Sequence, residues 1–206
     1  MAVDKRYITG LPWIAPIPEA PIWQLSISQY HQMIRSGILT DDDPVELLEG
    51  LLVTKMPKNP PHRLANELAR EALARLIPTG WHINTQEPIT TEDSEPEPDL
   101  AIVQGERRQY RDRHPGAGEI AVVIEVADAT LLNDRKLKKR LYARAGIPVY
   151  WIINLPEKQI EIYASPSSSA EEPDYQRRQD YHSADDAPLV INGQEVGRVA
   201  VLDILP

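Results

Sequence analysis

Interleaved helix and strand patterns predict an α/β (α+β) fold, and three stretches carry that prediction. The run Glu119-Ile-Ala-Val-Val-Ile-Glu-Val126 is the most apolar strand pattern in the chain, as expected of a strand covered on both faces and central in a sheet. Residues 62–77 place Leu64, Leu68, Ala72 and Leu76 at i+4 spacing, the period of one helix face. A second helical pattern ends at Ala145, stopped by Gly146 and Pro148, and strand patterns follow over 148–154 and 159–164.

The remaining elements follow from caps, turns and breakers. Residues 1–25, with Pro12, Pro16, Pro18 and Pro21, read as an arm without regular structure, whose Trp13 and Trp23 are expected to pack on the body or on a partner. Residues 26–206 read as one domain with a C-terminal strand extension. Ser26 or Ser28 can cap a helix over Tyr30, Met33 and Ile34 that stops near Gly37. Asp41-Asp42-Asp43-Pro44 is a turn, and residues 45–55 form a hairpin broken at Glu49-Gly50 and ended by Pro57, Pro60 and Pro61. The helix from His62 stops at Gly80, and residues 81–89 alternate weakly as a strand. The acidic run 91–98 reads as a solvated connection, residues 99–103 as a strand, and residues 104–118 as a charged loop. Thr130 or Asn133 can cap the helix that ends at Ala145. Residues 165–174 read as a flexible loop, and short strands are expected near 175–182, 189–191 and 196–202.

Composition narrows the chemistry. A chain of 206 residues can bury a sizeable core as one domain. With no cysteine there are no disulfides, thiolate nucleophiles or cysteine-ligated metals, which fits a reducing, cytoplasmic setting. No basic start leads into an apolar leader, and no stretch reaches the roughly 18 apolar residues of a membrane span. The net charge of −9 opposes non-specific binding to phosphate backbones. There is no phenylalanine, so Leu, Ile, Val, Tyr and Trp must form the core.

Against this scaffold, two carboxylates and a lysine stand out. Alternation along a strand puts Asp99 on one face with Ala101 and Val103, and Glu125 on one face with Ala121 and Val123. Each carboxylate thus ends an apolar stripe near the rim of the sheet. A buried, unpaired carboxylate costs several kcal/mol or takes up a proton, so something must offset that cost. A Mg²⁺ or Mn²⁺ ion held between them is one answer, since both prefer oxygen ligands. Asp134, Lys138 and Tyr142 share a helical stripe at i, i+4 and i+8, beside Leu137 and Leu141. Lys138 therefore stands at the edge of the buried face. The residue pattern equally admits Asp99 as a turn cap and Glu125 as the partner of Lys138 or Arg135 in a structural ion pair.

The motifs Val45-Glu-Leu-Leu-Glu-Gly50, Glu97-Pro-Asp-Leu100, Val123-Ile-Glu-Val126, Asp134-Arg-Lys-Leu-Lys138 and Leu141-Tyr-Ala-Arg-Ala-Gly-Ile-Pro-Val-Tyr-Trp151 come in a familiar order. Over residues 26–165 the chain resembles the Uma-type restriction endonuclease domain, a branch of the PD-(D/E)XK nuclease superfamily. The resemblance implies a restriction-endonuclease-like mixed central sheet flanked by helices, with the site at one edge. It implies Asp99 and Glu125 as metal ligands, with the main-chain carbonyl of Val126 as a third. The lysine usual two residues after the glutamate is Ala127 here, which would make Lys138 its substitute. Glu46 matches the early acidic position, a further ligand or one acting through water, with Glu49 as the alternative. His62 matches a family position and could touch a phosphate or water. Gln86, on the strand next to the core, matches the glutamine that many superfamily members carry.

The activity implied is Mg²⁺- or Mn²⁺-dependent endonuclease cleavage of DNA. Phosphate contacts would come from the loop Arg107–Arg113 and from Arg135, Lys136, Lys139 and Arg140, with weak or metal-dependent binding at this net charge. Restriction-type nucleases often pair to cut two strands, so a homodimer is expected. The competing reading is a catalytically degenerate nuclease fold acting as a binding or assembly module. His31, His82, His114 and His182 show no zinc-ligand spacing and receive no role.

Overall fold

The computed structural model describes residues 22–167 and 172–206. Most of the arm expected over 1–25, including Trp13, lies outside the described residues, and Trp23 is 77% exposed. Helix α1 (Ile27–Arg35) starts on a reciprocal cap between Ser26 and Gln29. The hairpin follows as β1 (Val45–Leu48) and β2 (Leu51–Thr54), turning at Glu49 and Gly50, both with positive φ.

Helix α2 (Pro60–Ala74) begins two residues before His62, because Asn59 caps it and two prolines occupy its first positions, where no N–H is needed. It ends at Ala74, short of Ile77. Its buried stripe is His62, Ala65, Asn66, Ala69 and Leu73, whereas Leu64 is 49% exposed. The face is rotated from the leucine spacing because the small Ala65 and Ala69 let the backbone approach the sheet, with Leu68, Ala72 and Leu76 packing alongside.

Six strands form the central sheet in the order β3-β4-β5-β6-β7-β8: β3 (Trp81–Thr85), β4 (Leu100–Gln104), β5 (Ile120–Ala127), β6 (Val149–Asn154), β7 (Gln159–Ser167) and β8 (Asp174–His182). Only β5 and β6 run parallel within it, so the sheet is mixed. A parallel pair needs a long crossover, and residues 128–148 supply it with α3 (Leu131–Asn133), a π turn (Asp134–Lys138) and α4 (Lys139–Arg144). All eight residues of β5 are buried, as its composition predicts. A bulge in its pairing with β4 turns Ala121 to the opposite face from Val123, so Glu125 keeps Val123 but not Ala121 as a stripe mate.

Three segments depart from expectation. Strand β3 stops at Thr85 rather than 89. The acidic run 91–98 is largely covered: Ser94 and Glu95 are buried, Glu95 bridges to Leu47 of β1, and its carboxylate meets His31 Nε2 at 2.8 Å. Strand β7 continues through Ser167 into the stretch read as a loop.

The tail adds the hairpin β9 (Asp186–Ile191) and β10 (Gln194–Ala200), turning at Asn192-Gly193, both with positive φ as a two-residue turn requires. With α2 and the 3₁₀ turn Val201–Ile204 it covers one face of the sheet. The other face carries Leu48, Leu141 and four tyrosines, Tyr142, Tyr150, Tyr163 and Tyr175, whose neighbouring ring centroids lie 5.1–6.2 Å apart. These rings do the filling that phenylalanine would, but each brings a hydroxyl that needs a partner. Tyr142 donates to Glu125 (2.6 Å), Tyr150 to the Asp134 carbonyl (3.2 Å), Tyr163 to Glu161 (2.6 Å) and Tyr175 to the Ile147 carbonyl (2.9 Å). Among the described residues no helix is long and apolar enough to cross a membrane.

Candidate active site

Antiparallel pairing brings the start of β4 beside the end of β5, with Leu100 opposite Ile124. Asp99, just ahead of β4, therefore meets Glu125: the Asp99 N–H donates to Glu125 Oε2 at 3.3 Å, and Asp99 Oδ2 accepts from the Val126 N–H at 2.9 Å. His62, in the first turn of α2, sets its Nε2 3.1 Å from Asp99 Oδ2, while Lys58 Nζ lies 3.5 Å from Oδ1. The hairpin delivers Glu46, whose Oε2 accepts from the Glu97 N–H (3.1 Å) and from Lys138 Nζ (2.8 Å).

Lys138 arrives from the opposite side on the π turn. Its Nζ is 3.5 Å from Glu125 Oε1, which also accepts from the Tyr142 hydroxyl. Ala127, two residues past Glu125, is fully buried in the tyrosine-bearing core. The π turn buries both Asp134 and Lys138. Such turns recur at functional sites.

A cavity of about 140 Å³ opens among these groups, lined by Glu46, Asp99, Glu125, Val126, Asp134 and Lys138, with His62 beside them. Its charges are unbalanced. Glu46, Asp99, Glu125 and Asp134 are buried carboxylates, faced by Lys138 as the buried ammonium. Burial pushes the Glu125 carboxyl up to about 8, against the pull of Lys138 and with added repulsion from Asp99. Asp134 is pushed up to about 6, again by burial first, despite a hydrogen bond from Thr130 Oγ1. Burial also raises Asp99, but bonds from His62 and the Val126 N–H, with Lys58 nearby, outweigh it and leave the group lowered. Burial would lower Lys138, yet Glu125 and Glu46 raise it further, so the ammonium stays charged.

The donor set suits a hard divalent cation. It is all oxygen, it is short of positive charge, and Asp99 and Glu125 share the cavity floor. Among the described residues no three His, Asp or Glu side chains converge on one ion position. Mg²⁺ commonly takes one or two carboxylates and fills its other positions with water and phosphate, so a pair suffices.

The sequence-predicted residues divide. Glu46, His62, Asp99, Glu125, Val126 and Lys138 all line the cavity; Gln86 does not. Gln86 lies past the end of β3, not on the strand, because its positive φ breaks the extended backbone while its N–H donates to the Asp99 carbonyl. Glu49, the alternative to Glu46, sits at the hairpin tip and pairs with Arg140 and Arg144. The loop Arg107–Arg113 does not flank the site: it joins the end of β4 to the start of β5, at the opposite end of the sheet. There Arg107 donates to the Ile83 carbonyl and Arg113 to Glu119. Arg135 is taken up by Glu161 and Glu157, and Lys139 by Asp174.

Sequence reasoning assigned no role to Lys58, Asn59, Asp128, Thr130 or Asp134 in the lining. The signals were present: Asn59 ahead of Pro60 is a cap, and Asp134 shares the Lys138 stripe.

The family model described as Uma2, putative restriction endonuclease, matches residues 27–192. The chain belongs to the Uma2 family. No curated protein matches this Uma2 chain. Its fold is similar to the crystal structure of a putative nuclease belonging to DUF820 from Anabaena variabilis ATCC 29413, with a TM-score of 0.60 at 13% identity. The match covers 87% of the Uma2 chain and 97% of that protein. At this identity the likeness speaks for the fold, a central mixed sheet with helices on its faces.

Proposed function

We propose that this chain is a Mg²⁺- or Mn²⁺-dependent nuclease that hydrolyses DNA phosphodiester bonds. The observation that carries the reading is the meeting of Asp99, Glu125 and Lys138 in one cavity with too little positive charge. Family membership and the described nuclease character of relatives support it.

Asp99 and Glu125, with the Val126 carbonyl, would hold the ion. Held there, a divalent cation would supply Lewis-acid polarisation of a phosphoryl oxygen and a more acidic water. Lys138 orients the attacking water and offsets the charge that gathers on the phosphoryl oxygens. Glu46 positions Lys138 through the 2.8 Å contact, and His62 positions Asp99. In the reaction the water oxygen bonds to phosphorus and gives up a proton to solvent, the bond from phosphorus to the leaving sugar oxygen breaks, and that oxygen takes up a proton from solvent, so one water is consumed with no net proton change. No covalent enzyme intermediate is needed.

The second reading, a catalytically silent binding module, draws on the ion pair between Lys138 and Glu46, which could lock the cavity as a structural network. Two measurements separate the readings. Mn²⁺ should raise the Tm of the wild-type protein, because a ligand of the folded state stabilises it, and Glu125→Ala should abolish the rise. Plasmid nicking with Mn²⁺ should fall to background in Asp99→Ala and Lys138→Ala. Equal nicking by all three proteins would assign the activity to a contaminant.

A further inference from the structure

We infer that the cavity takes an unpaired DNA strand in preference to an intact duplex, a conclusion that rests on the nuclease reading above. The reacting groups lie deep: Asp99, Glu125 and Lys138 are 4–6% exposed at the floor of a cavity of about 140 Å³. Its walls include the connection from β2 to α2 and the connection from β5 to α3. Asn59 Nδ2 of the first donates to Asp128 Oδ2 of the second, tying the two together at the cavity. A phosphodiester must pass this rim to reach the floor. In a duplex the phosphates are held by stacked, paired bases, and drawing one inward costs unpairing and unstacking energy. That cost is least for a strand already single.

Charge points the same way. A protein that grips duplex DNA neutralises about 6–10 phosphates across a broad basic surface. Here three cations near the cavity are already paired, Lys55 with Glu97 at 2.7 Å, Lys58 with Asp99 at 3.5 Å and Lys139 with Asp174 at 2.8 Å, which leaves exposed Lys136 rather than a broad basic surface. The arginine-rich loop lies at the other end of the sheet. With a net charge of −9, little long-range attraction is left to offset distortion of a duplex. Binding must come from the one or two phosphates that enter the cavity, and these are equally present in either form. The cost of entry then selects the unpaired strand. One strand needs one cut, so this chemistry is complete within one copy of the chain.

The test uses the full chain with Mn²⁺ and two circles of the same sequence, one single-stranded and one relaxed, covalently closed duplex; neither has ends. Linearisation of the single-stranded circle should be at least tenfold faster per phosphodiester than nicking of the duplex. Equal rates, or faster nicking of the duplex, overturn the strand preference and leave the nuclease reading standing. Cutting of neither circle overturns the nuclease reading and this inference with it. Asp128→Ala, which unties the rim without removing the Asn59 cap of α2, should raise duplex nicking at least threefold relative to strand cutting. An unchanged ratio would overturn the rim as the source of the preference.

Discussion

Two buried glutamates stand in one row of the sheet. Glu125 of β5 is level with Ile152 of β6, and Ile152 with Glu161 of β7, so both carboxylates project from the same face. Glu161 is completely buried, yet its carboxyl is lowered. Burial acts to raise it, but Arg135, Tyr163, Asn154 and Arg178 together prevail. Arg135 grips both of its oxygens, Asn154 Nδ2 donates at 2.7 Å and Tyr163 at 2.6 Å. Glu125, also buried, is pushed up to about 8 by burial first: Lys138, which it shares with Glu46, does not offset the penalty, and Asp99 and Asp134 add repulsion. Burial sets the size of the penalty, and partners decide whether the charge is kept. A carboxylate with a full set of donors is structure, and one left short can hold an incoming cation.

The largest expected effect breaks the comparison at its chemical end. Glu125→Gln should reduce Mn²⁺-dependent cleavage to background and erase the Mn²⁺-induced rise in Tm, with the metal-free protein no less stable than wild type. Retained cleavage would remove Glu125 from the site. At the structural end, Glu161→Ala should cost roughly 1–3 kcal/mol in urea unfolding, because Asn154 and Tyr163 lose a buried acceptor while Arg135 keeps Glu157. Cleavage per folded molecule should hold; a small stability loss with lost activity would invert the two roles.

The pH dependence of metal-free stability should carry opposite signs from the two residues. Glu161, lowered in the folded state, adds stability that is present above its ordinary value near 4.5 and is lost as pH falls through the lower folded value. Glu125, raised to about 8, adds stability that is full below 4.5 and is lost as pH rises from there through about 8. Tm profiles of Glu161→Gln and Glu125→Gln should therefore flatten the acid limb and the neutral limb respectively. If Glu125→Gln left the neutral limb as steep as wild type, another group would be titrating there. The smallest effect is that of Tyr142→Phe, which removes one hydrogen bond to Glu125 and should cost about 0.5–1.5 kcal/mol in urea.

Much of this was legible from local pattern. The apolar run of β5, the hairpin at Glu49-Gly50 and the i, i+4, i+8 stripe of Asp134, Lys138 and Tyr142 are set by spacing, and the structure places them as spacing predicts. What escaped depends on partners distant in sequence. Residues 91–98 are acidic and proline-bearing, and nothing local says that Leu47 and His31 will cover Glu95. The leucine spacing of α2 finds Leu68, Ala72 and Leu76 at the core but not its centre, because close approach to the sheet selects Ala65 and Ala69 and leaves Leu64 exposed. Arg107 and Arg113 neighbour the site in sequence, but the direction of β4 carries them away from it. Asn59 and Asp128 are 69 residues apart and meet only through the tertiary fold.

The π turn from Asp134 to Lys138 has one further consequence. Each residue added to or taken from a helix swings everything beyond it by about 100°, so the lysine's aim depends on how many residues precede it as well as on their identity. Shortening this stretch by one residue would leave every side-chain type in place and still point the ammonium elsewhere. Chain length here is as much a functional variable as amino-acid identity.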